Sequence, residues 1–277
     1  MRLRKASAFT AAVITLSLAA TACGGGDDEG DGDNADGITI GIKFDQPGLG
    51  LRDGNNEYSG FDVDVATYIA GELGYEPDQI TWREAPSPDR ENLLRRGDVD
   101  MIVATYSINE EREEQVDFAG PYFLAHQDLL VRADYEVPDV EAINDMTLCS
   151  VVGSTSAQNV QEDFAPNARL QEFPTYSECL NGLEGGAIDA LTTDDSILAG
   201  YAAQEEHQDK FKLAELDLSD EYYGVGLPKD SDRLEDVNAA IEQMVEDGSW
   251  AQAVEDNFGP AGYEAEDAPE IGARPTD

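Results

Sequence analysis

Short apolar segments alternate with segments of helical periodicity through most of the chain, and this alternation restricts the possible folds more than any other feature. The first series predicts three strands and two helices, in the order strand, helix, strand, helix, strand, at residues 38–44, 61–73, 79–83, 90–95 and 101–104. Consecutive strands that are joined by helices run parallel in one sheet. The series therefore predicts an α/β unit with a mostly parallel sheet.

A second series of the same kind begins at Thr147. It predicts strands at residues 147–152, 169–173 and 187–192, each followed by a helix. The chain is therefore expected to form two α/β lobes. We place lobe 1 at residues 37–124 and 220–260 and lobe 2 at 128–217. The connectors would be segments 123–131 and 216–227, and a final helix at 234–258 would return to lobe 1.

The N-terminal residues predict export and lipid attachment. Basic residues are followed by an apolar segment that is too short to span a bilayer comfortably, and then by Thr21-Ala22-Cys23-Gly24, which resembles a bacterial lipoprotein cleavage box. We expect residues 1–22 to be a lipoprotein signal peptide and Cys23 to be lipidated. The alternative is an ordinary cleaved signal in which the cysteine occurs by chance.

Two acidic segments flank the predicted lobes. Residues 23–36 consist almost entirely of glycine and acidic or amide residues, so they cannot bury a core and are expected to form a flexible tether. Residues 261–277 are also acidic, and we expect them to be a frayed tail. The lipid and the tether together would anchor the protein to the outer face of the cell membrane without crossing it.

Composition and spacing exclude two classes of partner. The formal net charge is −42, which excludes nucleic acid. The aspartates of the tether do not follow the calcium-loop pattern, and His126 and His207 have no partners at zinc-ligand spacing. We therefore expect no metal site and no cofactor. Cys149 and Cys179 are either a disulfide in an oxidising exterior or two buried thiols.

The stretch from Ala104 to Tyr122 places polar side chains where an apolar strand becomes a helix. Thr105 and Ser107 follow the strand, and either Ser107 or Asn109 would be the N-cap, with Ser107 and Glu110 fitting a capping box. Arg112 lies in the first helical turn, where a cation is mildly unfavourable. It is therefore either held by neighbouring glutamates or positioned for an anion that binds from outside.

Polar residues of the second lobe occupy equivalent positions at strand ends. Gly153-Ser154-Thr155 follows one strand and Asp194 follows another. Open α/β sheets bind ligands at the carboxyl ends of their strands. If the two lobes face each other, they would enclose a ligand between these groups and those of the first lobe.

These residues resemble the solute-binding proteins that deliver polar amino acids to ABC importers. The resemblance covers residues 37–260 and implies a two-lobed type II periplasmic-binding-protein fold. It depends on the following motifs: Gly60 to Val65; Thr105, Ser107 and Arg112; Val116 to Phe118; Pro121-Tyr122; Gly153 to Thr155; residues 189–194; and Tyr223 to Val225. The segment from Lys43 to Gly48, and the Cys149 and Cys179 pair, resemble actinobacterial glutamate-binding lipoproteins in particular.

The resemblance implies a role for each polar group. Arg112 would bind the α-carboxylate of an amino acid, and Asp194 would bind its α-ammonium group. The carboxylate would also be held by residues on both sides of the cleft, namely Thr105, Ser107, Gly153, Ser154 and Thr155. For Asp194 the alternative is an acidic helix cap.

Three further positions would read the ligand's side chain. Lys43 lies where relatives that bind lysine or arginine have an aspartate, and Ser87 and Arg90 match ligand-contacting residues of glutamate and aspartate binders. The resemblance thus implies an acidic amino acid, with glutamate ahead of aspartate. If Lys43 and Arg90 are surface cations, or if Arg90 only braces the cleft, glutamine or asparagine becomes the alternative. Some relatives hold the aliphatic part of the ligand between two aromatic rings. In this chain one of the two matching positions is Ser87, which has no ring.

The predicted function is the binding component of an importer, not an enzyme. We expect a monomer that closes on an acidic or polar amino acid and docks on the membrane permease of an ABC transporter. An extracytoplasmic dehydratase-like enzyme on the same fold is the alternative. It lacks support because the sequence shows no nucleophile with an adjacent base and no Gly-x-Ser-x-Gly elbow.

Overall fold

The computed structural model describes residues 37–275 of the chain. The predicted signal peptide, the predicted lipidation site Cys23 and the predicted tether therefore lie outside the described residues. Within the described part, no helix is long and apolar enough to cross a membrane.

The first half of the described chain contains seven strands and three helices. Their bounds are β1 (Ile38–Ile42), β2 (Asp45–Gln46), β3 (Gly50–Arg52), β4 (Tyr58–Ser59), α1 (Phe61–Glu72), β5 (Ile80–Glu84), α2 (Arg90–Arg96), β6 (Met101–Ile102), α3 (Glu110–Glu113) and β7 (Asp117–Arg132). Strand β1 pairs in parallel with both β5 and β6, so the predicted parallel sheet of the first series is confirmed. Strands β2, β3 and β4 form a small separate antiparallel sheet.

The second half contains five strands and five helices. Their bounds are β8 (Thr147–Val151), α4 (Thr155–Asn159), β9 (Arg169–Phe173), α5 (Tyr176–Glu184), β10 (Ala190–Asp194), α6 (Asp195–Ala202), β11 (Phe211–Leu213), β12 (Asp220–Leu227), α7 (Leu234–Glu246) and α8 (Ser249–Phe258). A short π-helical turn, Val160–Phe164, extends α4. Strand β8 pairs in parallel with β9 and β10, as the second series predicts.

The long strand β7 joins the two groups of parallel strands. Its first part, from Asp117 to His126, pairs with β12, and its second part, from Gln127 to Val131, pairs with β10. The result is a continuous sheet in the order β5-β1-β6-β12-β7-β10-β8-β9, with β11 beside β7. The strand therefore changes partner within the segment expected to connect the lobes. The exact lobe boundaries stay a prediction.

The C-terminal helices pack on the first half of the sheet. The ring of Phe61 on α1 lies 6.0 Å from that of Trp250 and 5.4 Å from that of Phe258, both on α8. The C-terminal helices therefore pack against the first helix of the chain. The single helix predicted at 234–258 is wrong, however. Gly248 has a φ of 85° and separates α7 from α8, because a left-handed residue after a helix ends its hydrogen-bond series.

The acidic tail is not frayed over its described length. The ring of Tyr263 lies 5.4 Å from that of Phe258, and Ala265, Ala268 and Ile271 are partly buried against the core. The prediction was wrong because it was based on the acidic composition of the tail and did not consider its apolar residues. The apolar residues recur every three residues or so and dock the segment while its acidic side chains remain in solvent.

Cys149 and Cys179 form a disulfide, which confirms their predicted pairing over the alternative of two thiols. The bond joins β8 to α5, and both residues are fully buried. It therefore fixes α5 against the strand whose end leads to Ser154.

Candidate functional site

A small cavity lies where the two halves of the sheet face each other. Its volume is only about 10 Å³, so little space is left between the two halves. Eleven residues line it: Gln46, Ser87, Arg90, Thr105, Arg112, Ser154, Thr155, Ser156, Tyr176, Asp194 and Ile197. Seven of the ten predicted ligand-binding residues are therefore brought together, and Lys43, Ser107 and Gly153 lie outside the lining.

The halves touch each other around the cavity. The Thr155 hydroxyl lies 3.4 Å from the Ser107 hydroxyl, and Arg112 Nη2 lies 3.5 Å from the Gly153 carbonyl oxygen. Gly153 has a φ of 73°, and a Cβ there would lie 3.1 Å from Pro88. Glycine is therefore required for this approach of the two halves. Ser107 and Gly153 border the cavity through these contacts and not as lining residues.

Arg112 is positioned by the backbone of both halves. Asn109 is the N-cap of α3 and accepts a hydrogen bond from the Arg112 amide, so the Ser107 capping box does not form. The Arg112 guanidinium donates to the Ser107 carbonyl oxygen at 2.7 Å, and its Nε lies 3.8 Å from Glu91. A guanidinium has five N–H donors. These contacts leave donors that can bind an anion in the cavity.

Thr105 is held in a conformation that is unusual for a β-branched residue. Its φ is 44°, and its amide donates to Asp62 Oδ2 at 2.9 Å. Asp62 also accepts from the Tyr122 hydroxyl at 2.8 Å. Burial raises the pKa of Asp62 to about 6. Sequence reasoning explained Asp62 only as an acid in a first helical turn and missed that it supports the site.

Asp194 occupies the N-cap position of α6 but does not cap the helix with its side chain. Its carboxyl group instead accepts hydrogen bonds from the Tyr223 hydroxyl at 2.5 Å and from the Ser156 hydroxyl at 3.2 Å. The helix-cap alternative therefore does not explain it. Burial, reinforced by the nearby Glu221 carboxylate, raises the pKa of Asp194 to about 8. An ammonium group in the cavity would restore its charged form.

Arg90 is buried and lines the cavity. Its guanidinium lies 4.9 Å from the centre of the Tyr106 ring, and that of Arg112 lies 5.0 Å from the same centre. Arg90 Nε donates to the Ala85 carbonyl oxygen at 3.2 Å. Burial and then the Arg112 charge lower the pKa of Arg90. Two cations are thus fixed beside one small cavity by a shared aromatic ring.

Lys43 is buried too, so the alternative of two surface cations is wrong for both Lys43 and Arg90. The Lys43 ammonium lies 3.4 Å from the Asp45 carboxylate and 5.8 Å from the centre of the Tyr176 ring. Burial lowers the pKa of Lys43, and the Asp45 carboxylate opposes this shift. The sequence analysis did not consider Asp45, which partly neutralises Lys43. Lys43 therefore lies behind the lining of the cavity, next to the Tyr176 ring.

Sequence reasoning missed four lining residues: Gln46, Ser156, Tyr176 and Ile197. Tyr176 supplies an aromatic ring from α5. The one position that the sequence analysis considered for an aromatic ring, Ser87, lies in the first lobe. Gln46 lies in a glycine-rich segment, and its Oε1 is 3.3 Å from the Thr105 hydroxyl. Neither has a local sequence signal, because their proximity depends on how the two halves meet.

Residues 37–275 contain no group of three or more histidine, cysteine or acidic side chains arranged to bind a metal ion. The polar groups of the cavity are instead two guanidiniums, one carboxyl group and several hydroxyls. Such a set can bind a small molecule with more than one carboxylate and one ammonium group.

Three comparisons relate the chain to known proteins. The sequence profile of bacterial extracellular solute-binding proteins, family 3, matches residues 38–260. The glutamate-binding protein GluB of Corynebacterium efficiens is 46% identical over 91% of this chain and 90% of its own length. The ABC transporter glutamine-binding protein GlnH of Bacillus subtilis is 37% identical over 78% of each protein. An ancestral arginine-binding protein bound to glutamine has a TM-score of 0.74 and 30% identity, over 81% of this chain and 98% of its own.

These matches confirm the resemblance found in the sequence. They also confirm the predicted fold class, a two-lobed α/β fold of the type II periplasmic-binding-protein kind.

Proposed function

The chain belongs to the bacterial extracellular solute-binding proteins of family 3, and we propose that it captures glutamate outside the cytoplasm for an ABC importer. The observation that supports this most is the placement of Arg90, Arg112 and Asp194 around one small cavity. Glutamate has two carboxylates and one ammonium group, so each of its charges would have an opposite charge in the protein. The name of the relative GluB supports the same ligand.

Each cavity residue has a proposed contact with the ligand. Arg112 binds the α-carboxylate, assisted by Thr105, Ser107 and the segment from Gly153 to Thr155. Asp194 binds the α-ammonium group. Arg90 and Ser87 face the side-chain carboxylate, and Lys43 adds positive potential from behind the lining. Aspartate has the same charges on a shorter side chain, so its side-chain carboxylate would reach less far toward Arg90 and Ser87.

Glutamine is the alternative ligand. The Asp45 carboxylate partly neutralises Lys43, which reduces the positive potential at the cavity. GlnH and the glutamine-bound ancestral protein are relatives of this chain as well. The two ligands differ by one charge, so the ratio of their affinities separates the two proposals.

Calorimetric titration with glutamate, aspartate, glutamine, asparagine and arginine tests this function. We expect glutamate to bind most tightly, with a dissociation constant in the micromolar range or lower. Equal affinities for arginine and glutamate would contradict the charge argument, and tighter binding of glutamine would establish the alternative. Incubation of the protein with cyclic amino-acid precursors, followed for their consumption, tests the dehydratase alternative, which requires that a precursor be consumed.

Lys43→Ala is expected to weaken glutamate binding about tenfold and glutamine binding less than threefold. The reason is that a buried cation interacts with the extra negative charge of glutamate at low effective dielectric. Calorimetry on both ligands measures the difference. Lys212→Ala, which removes an exposed ion pair with Glu136, is the matched control and should change neither affinity. Equal losses for the two ligands would show that Lys43 acts on the fold of the site and not on ligand charge.

We also propose that the protein is a monomer anchored by lipid at Cys23 and that its closed form docks on a membrane permease. Domain closure around a ligand is a common hinge motion, and β7 and β12 are the strands that join the two halves. Incorporation of labelled palmitate that is lost in Cys23→Ser tests the anchor. Sedimentation of the exported protein without its lipid tests the monomer.

A further inference from the structure

The tail beyond residue 262 lies outside the segment that matches the family profile, yet at two points it contacts residues that directly follow proposed ligand-binding residues in the sequence. Its first contact is with the element that bears Asp194. The Tyr263 hydroxyl donates to Asp195 Oδ1 at 3.0 Å. Asp195 begins α6 directly after Asp194, and its Oδ1 also accepts from the His126 amide at 3.1 Å.

The second contact is with the helix that bears Arg112. Arg274 Nε and Nη2 each lie 2.9 Å from Glu113 Oε1. Glu113 is the last residue of α3, directly after Arg112. The pair is about one-third exposed, so it contributes little to global stability. The ion pair adds to the contacts that hold this four-residue helix, which include a hydrogen bond from Lys229 Nζ to the Glu113 carbonyl oxygen at 2.7 Å.

The segment between these contacts follows the strand that joins the two halves of the sheet. The Gly272 amide donates to the Gly120 carbonyl oxygen at 3.0 Å, and Glu266 lies 3.2 Å from the His126 ring. Gly120 and His126 both belong to β7, and His126 is the last residue of β7 paired with β12. The tail therefore spans from one half of the molecule to the other along β7.

We propose that residues 263–275 position the two charged groups that hold the amino acid. Tyr263 acts through Asp195 on Asp194, and Arg274 acts through Glu113 on Arg112. Neither residue touches the ligand. The physical reason is that binding requires Arg112 and Asp194 to be held opposite the carboxylate and the ammonium group of the ligand. If a tail contact is removed, these side chains are less ordered in the free protein, and ordering them on binding costs affinity. This inference rests on the proposed function of the cavity.

Truncation after Gly262 in the otherwise complete chain tests the proposal. We expect glutamate affinity to fall about tenfold, chiefly through faster dissociation in stopped-flow experiments, because affinity differences among variants of one binding site lie mostly in the dissociation rate. Glutamine is titrated in parallel as a second probe. If neither amino acid binds the complete chain, the proposed function fails. If either binds the complete and truncated chains within twofold of each other, the positioning proposal fails.

Two point variants separate positioning from a general loss of stability. Tyr263→Phe keeps the ring packed against the core and removes the hydrogen bond to Asp195. Arg274→Gln removes the ion pair to Glu113 and a local hydrogen bond to the Ala273 carbonyl oxygen. Each should increase the dissociation rate threefold or more without lowering the melting temperature by more than about 2 °C. Lys210→Gln, which removes an exposed ion pair with Glu184, is the control and should leave the rate unchanged.

Charge reversal provides a rescue. Arg274→Glu should increase the dissociation rate, and Arg274→Glu combined with Glu113→Arg should restore it to within twofold of the original rate. Melting temperatures that fall while dissociation rates stay the same would overturn the proposal, because that result is the signature of a purely structural tail. Failure of the rescue would overturn the part assigned to Arg274.

Discussion

Arg112→Ala is expected to weaken glutamate binding by at least tenfold, and by about 100-fold if both ligand contacts of the guanidinium are charge-assisted hydrogen bonds. Such bonds contribute about 1.5 to 3 kcal/mol each, and 1.4 kcal/mol corresponds to a factor of ten in affinity. Arg112 is the residue for which the largest effect is expected. It also joins the two halves through the Ser107 and Gly153 carbonyl oxygens, and alanine removes those contacts as well.

Calorimetry on Arg112→Ala and Arg112→Lys measures this effect. Lysine keeps the charge but presents a single ammonium in place of the planar fork, so we expect an intermediate affinity. Circular dichroism and the melting temperature should show that both variants fold. An alanine variant that binds glutamate within twofold of the original protein would remove Arg112 from the site.

Glutamate affinity is also expected to increase with pH, at least tenfold between pH 6 and pH 8. In the unliganded protein the raised pKa of Asp194, about 8, keeps most of its carboxyl groups protonated over this range. Binding of an ammonium group requires the charged carboxylate, so it releases a proton. The affinity therefore falls as pH decreases below the pKa, by no more than a factor of ten for each pH unit.

Titrations in buffers of different ionisation enthalpy detect the released proton directly. Asp194→Asn should bind glutamate more weakly than the original protein at pH 8 and should lose most of the pH dependence. An affinity that is constant between pH 6 and pH 8, with no proton release, would contradict the assignment of Asp194 to the ammonium group. Asp62, whose pKa is about 6, adds a smaller change near the acidic end of the range.

The raised pKa of Asp194 also affects the stability of the unliganded protein, which should decrease as pH increases. Because the folded-state pKa of Asp194 lies above that of an unfolded aspartate, the native state binds more protons than the unfolded state between about pH 4 and pH 8. The contribution of Asp194 to the free energy of unfolding is therefore present at low pH and decreases as pH increases through this window. Bound ammonium removes the penalty, so ligand should stabilise the protein more at pH 8 than at pH 6.

The positions of most strands and helices were predictable because their signals are local. The parallel pairing of β1 with β5 and β6 follows from strands separated by helices, and the elements near Arg169 and Tyr176 begin where their apolar patterns begin. The errors lie at the C-terminal end. A glycine at position 248 divided one predicted helix, and the tail docked although its composition is acidic.

Five cavity residues were predictable because hydroxyls and charges near strand ends have a recognised use in α/β sheets, and Ser87 and Arg90 were predicted only from the family resemblance. The supporting residues were not. Asp45 beside Lys43 and Asp62 beneath Thr105 are close in space for reasons that no local pattern records. Tyr176 reaches the cavity from a helix that the sequence predicts only as an element of the second lobe.

The sequence by itself determined the α/β class, the order of the elements and the types of charged group available for a ligand. Only the tertiary structure decided which charges act together. It places Arg90 and Arg112 against one aromatic ring and sets the Asp45 carboxylate beside the Lys43 ammonium, whose positive charge it partly neutralises. It also buries Asp194, which raises the pKa of that carboxyl group. The physical reason is range. Periodicity and capping act over a few residues, whereas burial and electrostatic interaction depend on distances between residues far apart in the chain.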